Sequence, residues 1–195
     1  MNENSPLPQG IFRTYDIRGI VDEDLTPDRI RQIGLGLGQH LAEDSAKSIV
    51  VGHDVRESSP EFAAALTEGI CSAGLDVIEI HEVPTPVLYW AVKHLNCDGG
   101  VMITGSHNPI NYNGLKITRG LYPIWGDELQ VLYGKCQLAT PSSTIGTRSS
   151  KDIMSEYLDS RVERFSFPAG LKVAIDCGNG TAGPVILPLF ERLGI

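Results

Sequence analysis

Short apolar segments alternate with amphipathic segments along the first half of the chain, and this alternation limits the possible folds more than any other feature. The apolar segment 48–52 is followed by a helical pattern at 60–73 and a second apolar segment at 75–80. A helical pattern at 87–95 then leads to a third apolar segment, at 99–104. Strands of this kind are typical of parallel sheets whose two faces are both covered by helices. The alternation therefore predicts parallel βαβ units.

Further helices and strands extend this unit in both directions. Thr26 can cap a helix, with Pro27 in its first turn and Asp28 near the positive end of its dipole. The remaining predicted elements are an extended segment closed by Gly19, a helix at 26–43, a strand at 114–118, helices at 127–136 and 153–165, a strand at 171–176 and a helix at 184–193. We expect an α/β fold with a mixed, mainly parallel sheet sandwiched by helices.

A single linker by composition, ATPSSTIGTRSS at 139–150, divides the chain. We place the first domain at 1–140, the linker at 141–150 and the start of a second, similar α/β domain at 151–195. The last predicted helix is followed by Gly194 and Ile195, with no strand after it. Because a βαβ unit without its final strand leaves a sheet edge uncovered, we expect this chain to be the amino-terminal part of a longer protein.

Composition and charge exclude several classes of protein. The net charge of -8 and the pI near 5.0 argue against nucleic acid or anionic lipid as a partner. The four cysteines form no C-x-x-C pair, which argues against a zinc knuckle or a redox motif. The start MNENSPLPQG has no signal-peptide pattern, and no apolar run approaches the roughly 20 residues of a membrane span. We expect a cytoplasmic protein that holds any anionic ligand with a few placed cations.

The segment VMITGSHNPINYNGLKI, at 101–117, carries the strongest chemical signal. Its apolar start predicts a buried strand, so Ser106 lies on a loop at the end of a strand, where α/β proteins usually bind ligands. A hydrolase nucleophile would need the frame G-x-S-x-G, which is missing here. A phosphate carrier fits better, because Gly105 lets backbone N–H groups approach a phosphate and Arg18 and Lys116 can donate to its oxygens. An ordinary polar turn remains the alternative.

Two polar segments can support this loop. Asp16 and Arg18 alternate with apolar neighbours, so their side chains face one side of an extended segment and can pair with each other. In the loop 53–60, Asp54 and Arg56 can buttress the Ser106 loop, or Ser59 can cap the next helix. We favour a structural role for this second loop.

A glycine pattern near the end of the chain offers a competing function. Gly178, Gly180 and Gly183 match G-x-G-x-x-G between a predicted strand and a predicted helix, the context of a dinucleotide-binding fingerprint. However, Pro184 follows at once, and the acidic residue expected about 20 positions later is not in the sequence. We favour a structural turn and keep a dinucleotide-binding oxidoreductase as an alternative.

Five motifs occur in a fixed order: FRTYDIRG, VGHDVRESSP, VPTPVLYWA, GVMITGSHNPINYNGLKI and VAIDCGNGTAG. In order and spacing they resemble the α-D-phosphohexomutases, most closely the bacterial phosphomannomutase/phosphoglucomutase branch. The resemblance implies interconversion of hexose 1-phosphate and hexose 6-phosphate, with mannose or glucose as the sugar. It also implies a phosphoserine, a bisphosphorylated sugar intermediate, Mg²⁺ and a hexose 1,6-bisphosphate primer.

The resemblance also implies roles for individual residues. Ser106 would be the phosphoserine, and its phosphate would ligate Mg²⁺. The other implied catalytic residues are Arg18, Lys116 and His107, and the implied substrate-binding residues are Tyr15, Arg18, Asn108 and Lys116. The family's Asp-Gly-Asp-Gly-Asp metal loop is absent from this sequence. We therefore expect the chain alone to be inactive, and a noncatalytic phosphosugar-binding module is a further alternative.

Overall fold

The computed structural model describes residues 6–195, which form a seven-stranded mixed sheet with helices on both faces. The polar start, residues 1–5, lies outside the described residues. The chain order is a 3₁₀ turn Gln9–Ile11, β1 Ile17–Ile20, α1 Pro27–Ala42, β2 Ser48–His53, α2 Ser59–Ser72, β3 Asp76–Glu82, α3 Thr85–His94, β4 Gly99–Ile103, β5 Tyr112–Arg119, β6 Tyr122–Pro123, α4 Asp127–Leu138, β7 Arg148–Ser150, α5 Met154–Val162 and α6 Gly183–Arg192.

The sheet combines a parallel half with an antiparallel half. Its strand order is β1-β5-β4-β2-β3-β7, and β6 pairs with β5. The strand β2 is parallel to β3 and β4, and β3 is parallel to β7, so the predicted βαβ units are confirmed. The strand β5 runs antiparallel to β1, β4 and β6. The carboxyl end of β4 therefore lies beside the start of β5, across the loop that contains Ser106.

Two separate cores lie on opposite faces of the sheet. One core contains Leu37 of α1, Phe62 of α2 and Leu129 of α4. The other contains Leu88 of α3 and Leu158 of α5, packed with residues from β2 and β4. Since burial of apolar side chains dominates folding stability, these cores fix which helices cover which face.

The helix α1 begins and packs as its sequence predicts. Thr26 caps it, with the hydroxyl oxygen 3.4 Å from the N–H of Arg29. Its partner α2 comes very close, since a Cβ added at Gly34 would lie 2.4 Å from the carbonyl oxygen of Leu66. Glycine at this contact lets the two helix backbones approach each other closely.

The predicted strand at 171–176 is wrong, because no described strand pairs with this segment. Its apolar residues Leu171, Val173 and Ile175 are exposed. A strand needs a neighbour to receive its backbone hydrogen bonds, and the apolar pattern alone could not show that the neighbour is missing.

Part of the predicted linker joins the sheet. Arg148–Ser150 forms β7 at the edge beside β3, and the N–H of Gly146 donates to the carbonyl of Cys71 at 2.9 Å. The division of the chain into domains at this point stays a prediction. Across residues 6–195, none of the helices has the length and apolar character needed to cross a membrane.

Candidate active site

Ser106 lies on a tight loop between β4 and β5. Its backbone adopts a left-handed conformation, with φ of 52°, and its N–H donates to the hydroxyl of Thr104 at 2.9 Å. The carbonyl of Gly105 accepts hydrogen bonds from the backbone N–H and the side-chain amide of Asn108, at 3.0 and 3.1 Å. Left-handed backbone is uncommon for a residue other than glycine, and such strain often accompanies function. The Ser106 side chain is exposed to solvent.

The side chain of Arg56 binds this loop through four backbone carbonyls. Its guanidinium donates to the carbonyls of Ser106, Asn108, Pro109 and Tyr112 at 3.2, 2.7, 2.6 and 2.9 Å. The planar, multi-donor guanidinium can satisfy several acceptors at fixed angles. Of the two structural roles that the sequence leaves open for the loop 53–60, these hydrogen bonds correspond to the support of the Ser106 loop.

A nearly buried ion pair anchors Arg56 itself. The Nε of Arg56 lies 3.4 Å from Asp54 Oδ2, and both side chains are 11% exposed. Asp54 also accepts hydrogen bonds from the N–H of Gly105 at 3.1 Å and the hydroxyl of Ser59 at 2.6 Å. A Cβ at Gly105 would lie 2.2 Å from the guanidinium carbon of Arg56, so only glycine lets the loop rest on the arginine.

Two cations lie on the neighbouring strands. Arg18 of β1 is in register with Gly114 of β5, whose carbonyl accepts from the N–H of Thr104 at 2.9 Å. Lys116 of β5 is in register with Met102 of β4. Asp16 pairs with Arg18, as the sequence predicts, and also lies 3.6 Å from the Nζ of Lys116. The side chains form a cluster with two positive charges and one negative charge beside the serine loop.

Arg18 has an unused donor in this cluster. The side chain is only 4% exposed, and its Nη1 has no hydrogen-bond partner among the described residues. A buried charged donor without a partner is costly, since desolvation is not repaid by a hydrogen bond. An oxygen of an anionic ligand would satisfy this donor, which favours phosphate binding here.

His107 lies within reach of the serine. Its Nδ1 is 3.2 Å from Ser106 Oγ. The left-handed turn at Ser106 accounts for the contact, because it bends the chain between the two side chains. The loop leads into β5 and not into a helix, so the strand-to-helix elbow of a serine hydrolase is absent at this position.

Tyr15 lies at the edge of the cluster and contacts Trp125, an aromatic neighbour that the sequence does not predict. Its ring is 72% exposed and stacks with that of Trp125, with centroids 6.3 Å apart and planes at 18°. The two residues are 110 positions apart, and the pairing depends on the fold. The sequence signal that could have identified Trp125 is an indole directly before a glycine and a helix.

The glycine-rich segment 178–182 faces the Ser106 loop across a groove of about 600 Å³. Thr181 Oγ1 accepts a hydrogen bond from the N–H of Val55 at 3.2 Å, next to the Asp54 and Arg56 pair. The sequence alone predicts a structural turn here and does not indicate its contact with the loop 53–60. The strand that a dinucleotide fingerprint requires before its first glycine is not formed here.

Within residues 6–195, no group of three or more His, Cys, Asp or Glu side chains could hold a metal ion. The described carboxylates alone do not provide a Mg²⁺ site, and ligation of Mg²⁺ through a phosphate on Ser106 stays a prediction.

The family model "Phosphoglucomutase/phosphomannomutase, alpha/beta/alpha domain I" matches residues 9–124. The chain belongs to the phosphoglucomutase/phosphomannomutase family. The predicted family and fold class are thereby confirmed. The match includes the Ser106 loop, both cations and the Arg56 loop.

Relatives in this family match nearly the whole chain. It is 37% identical to a phosphomannomutase/phosphoglucomutase of Pseudomonas aeruginosa, covering 96% of this chain and 41% of the relative. It is 39% identical to a phosphomannomutase of Escherichia coli, covering 93% of this chain and 41% of the relative. The chain thus spans about two fifths of the length of these relatives.

Solved structures in the family have the same fold. A phosphoglucomutase/phosphomannomutase family protein of Burkholderia thailandensis superimposes with a TM-score of 0.91 at 36% identity, covering 96% of this chain and 43% of that protein. The Paramecium phosphoglucomutase parafusin, at 19% identity, covers 98% of this chain and 43% of its own, with a TM-score of 0.79. The second likeness concerns the fold alone.

Proposed function

We propose that this chain is the phosphoryl-carrier part of a phosphohexomutase that interconverts hexose 1-phosphate and hexose 6-phosphate, with mannose or glucose as the sugar. The observation that carries the proposal is the Nη1 of buried Arg18, which has no hydrogen-bond partner within residues 6–195 and lies on a strand next to β5, where the Ser106 loop ends. An anionic oxygen would satisfy this donor, and the exposed Ser106 hydroxyl on the nearby loop can carry a phosphoryl group.

The proposed reaction needs only a transfer of one phosphoryl group in each direction. The bond between Ser106 Oγ and phosphorus breaks, and phosphorus bonds to a hydroxyl oxygen of the hexose phosphate. The proton of that hydroxyl ends on Ser106 Oγ, and His107 Nδ1, 3.2 Å away, is placed to deliver it. The bisphosphorylated sugar then reorients and returns its other phosphoryl group to the serine.

The remaining residues bind and orient the phosphoryl group and the sugar. Arg18 and Lys116 stabilise the charge on the transferring oxygens, which is the main task of a protein in phosphoryl transfer. Asn108 holds Gly105 through its amide nitrogen and lines the groove, so its amide oxygen can accept from a sugar hydroxyl. Tyr15 offers an exposed ring to the sugar.

Mg²⁺ and a hexose 1,6-bisphosphate primer complete the proposal. The primer would phosphorylate Ser106 before the first turnover. In this chain, only the phosphoryl oxygens on Ser106 are proposed as ligands for Mg²⁺, and no step above depends on the metal. We propose the cytoplasm as the location, on the basis of four free thiols.

We also propose that the chain alone does not turn over. A coupled mutase assay with Mg²⁺ and glucose 1,6-bisphosphate tests this directly, and robust activity of the 195-residue chain would contradict it.

The function itself is tested in the protein expressed from the complete reading frame that encodes this chain. Ser106→Ala should abolish mutase turnover, whereas the exposed Ser142→Ala should leave it unchanged. If the unmodified protein binds glucose 1-phosphate without turnover, and Ser106→Ala keeps that affinity, the protein is a phosphosugar-binding module and the mutase proposal is wrong.

A further inference from the structure

Trp125 is a large apolar side chain that the fold leaves in solvent. It is 57% exposed, and its ring lies nearly parallel to that of Tyr15, which is 72% exposed. Aromatic residues bury large areas in cores and interfaces, so an exposed stacked pair leaves much apolar surface unused.

Two backbone hydrogen bonds hold Trp125 in place. The N–H of Ile124 donates to the carbonyl of Ile117 at 2.9 Å, and the N–H of Gly126 donates to the carbonyl of Thr14 at 2.7 Å. Ile124 is buried in the core of α1, α2 and α4, so its neighbour in an extended segment is directed toward the other face of the sheet. Trp125 is thereby fixed between the strand of Lys116 and the segment that carries Tyr15.

The charges beside this pair complement an anionic group. Lys116 precedes Ile117 on β5, and its side chain is partly exposed. Arg18 lies three positions after Tyr15, and its buried Nη1 has no hydrogen-bond partner among the residues that the structure describes. The surface therefore joins a flat apolar area to donors for phosphate oxygens.

We propose that Trp125, together with Tyr15, forms a stacking platform for the pyranose ring of the phosphorylated hexose. A pyranose presents a face of C–H groups that packs against an aromatic ring, while its phosphate reaches Lys116 and Arg18. Stacking needs no directional hydrogen bond, so the platform can hold the sugar with either its 1-position or its 6-position toward Ser106. This property suits a substrate that binds in two orientations. This inference rests on the proposed function and adds Trp125 to its sugar-binding residues.

The first measurement isolates the indole as a probe. The chain has two tryptophans, and Trp90→Phe leaves Trp125 as the sole one. Glucose 1-phosphate should shift the emission of Trp125, whereas inorganic phosphate at matched occupancy should shift it much less. Equal shifts with the two ligands contradict direct stacking.

The second measurement compares affinities by calorimetry for glucose 1-phosphate and for glycerol 3-phosphate, which has no ring. Trp125→Ala should reduce the preference for the sugar phosphate about tenfold. Trp125→Phe should restore part of it, and the exposed Tyr122→Ala is the matched control that should change nothing. The affinity for inorganic phosphate should be the same in all four proteins.

The outcomes separate this inference from the function beneath it. If Trp125→Ala keeps the full preference for glucose 1-phosphate, the platform is wrong and the mutase proposal stands. If the unmodified protein from the complete reading frame binds none of glucose 1-phosphate, glycerol 3-phosphate and inorganic phosphate, both proposals fall.

Discussion

Removing Arg56 should destabilise the protein and disorder the serine loop at the same time. Arg56→Ala leaves Asp54 without its cation in a site where the two side chains are 11% exposed. Breaking a buried ion pair by deleting one partner costs about 3–5 kcal/mol. Loss of the hydrogen bonds to the four loop carbonyls should cost less than loss of the ion pair, because most of the loop is exposed and water can replace the lost donors. We therefore expect the free energy of unfolding to fall by about 3–5 kcal/mol.

Thermal denaturation followed by circular dichroism measures this loss. For a chain of this size, each kcal/mol lowers Tm by about 2–4 °C, so Arg56→Ala should lower it by roughly 6–20 °C. Arg56→Lys keeps a positive charge near Asp54 but loses the planar set of guanidinium donors. Its Tm should therefore lie between those of the unmodified protein and Arg56→Ala.

Arg31 supplies the matched control. It pairs with Asp28 and Glu68, yet its side chain is 43% exposed, so Arg31→Ala should cost less than about 1 kcal/mol. If Arg56→Ala and Arg31→Ala lower Tm equally, the reasoning about the buried pair is refuted.

Three further predictions concern Gly105, Cys136 and Glu156. Gly105→Ala should abolish mutase turnover in the complete protein, because a Cβ would lie 2.2 Å from the guanidinium carbon of Arg56; unchanged turnover would mean that the loop adapts. Burial raises the pKa of the Cys136 thiol to about 12, so peptide mass spectrometry should find it unlabelled by iodoacetamide at pH 8 until the chain unfolds. The hydrogen bond from His94 lowers the pKa of Glu156 in the folded state, so the contact between α3 and α5 is fully stabilised above the ordinary pKa of the carboxyl. The contact should weaken as the pH falls through the lowered pKa of Glu156. Tryptophan emission should show this transition in the unmodified protein, and Glu156→Gln should lack it.

The βαβ units were predictable because the signal for each is local. The apolar run at 48–52 and the helical pattern at 60–73 each specify one element, and short connections leave little choice of neighbour. The pairing of Asp16 with Arg18 is also a local feature, which the alternation of polar and apolar residues in this segment allows.

The features that sequence reasoning missed all depend on contacts between distant segments. Trp125 meets Tyr15 because β1, which follows Tyr15, and β6, which precedes Trp125, both pair with β5. Lys116 reaches Asp16 through the pairing of β1 with β5, some 100 positions apart. The segment 171–176 has the composition of a strand but pairs with no strand within residues 6–195, and composition alone does not reveal whether a strand has a partner.

The most direct test of the central claim is the phosphorylation state of Ser106. The protein from the complete reading frame is incubated with glucose 1,6-bisphosphate, digested, and its peptides are analysed by mass spectrometry. We predict one added phosphoryl group on Ser106 and none on that peptide in Ser106→Ala. Mutase turnover by a protein whose Ser106 stays unmodified throughout would contradict the account.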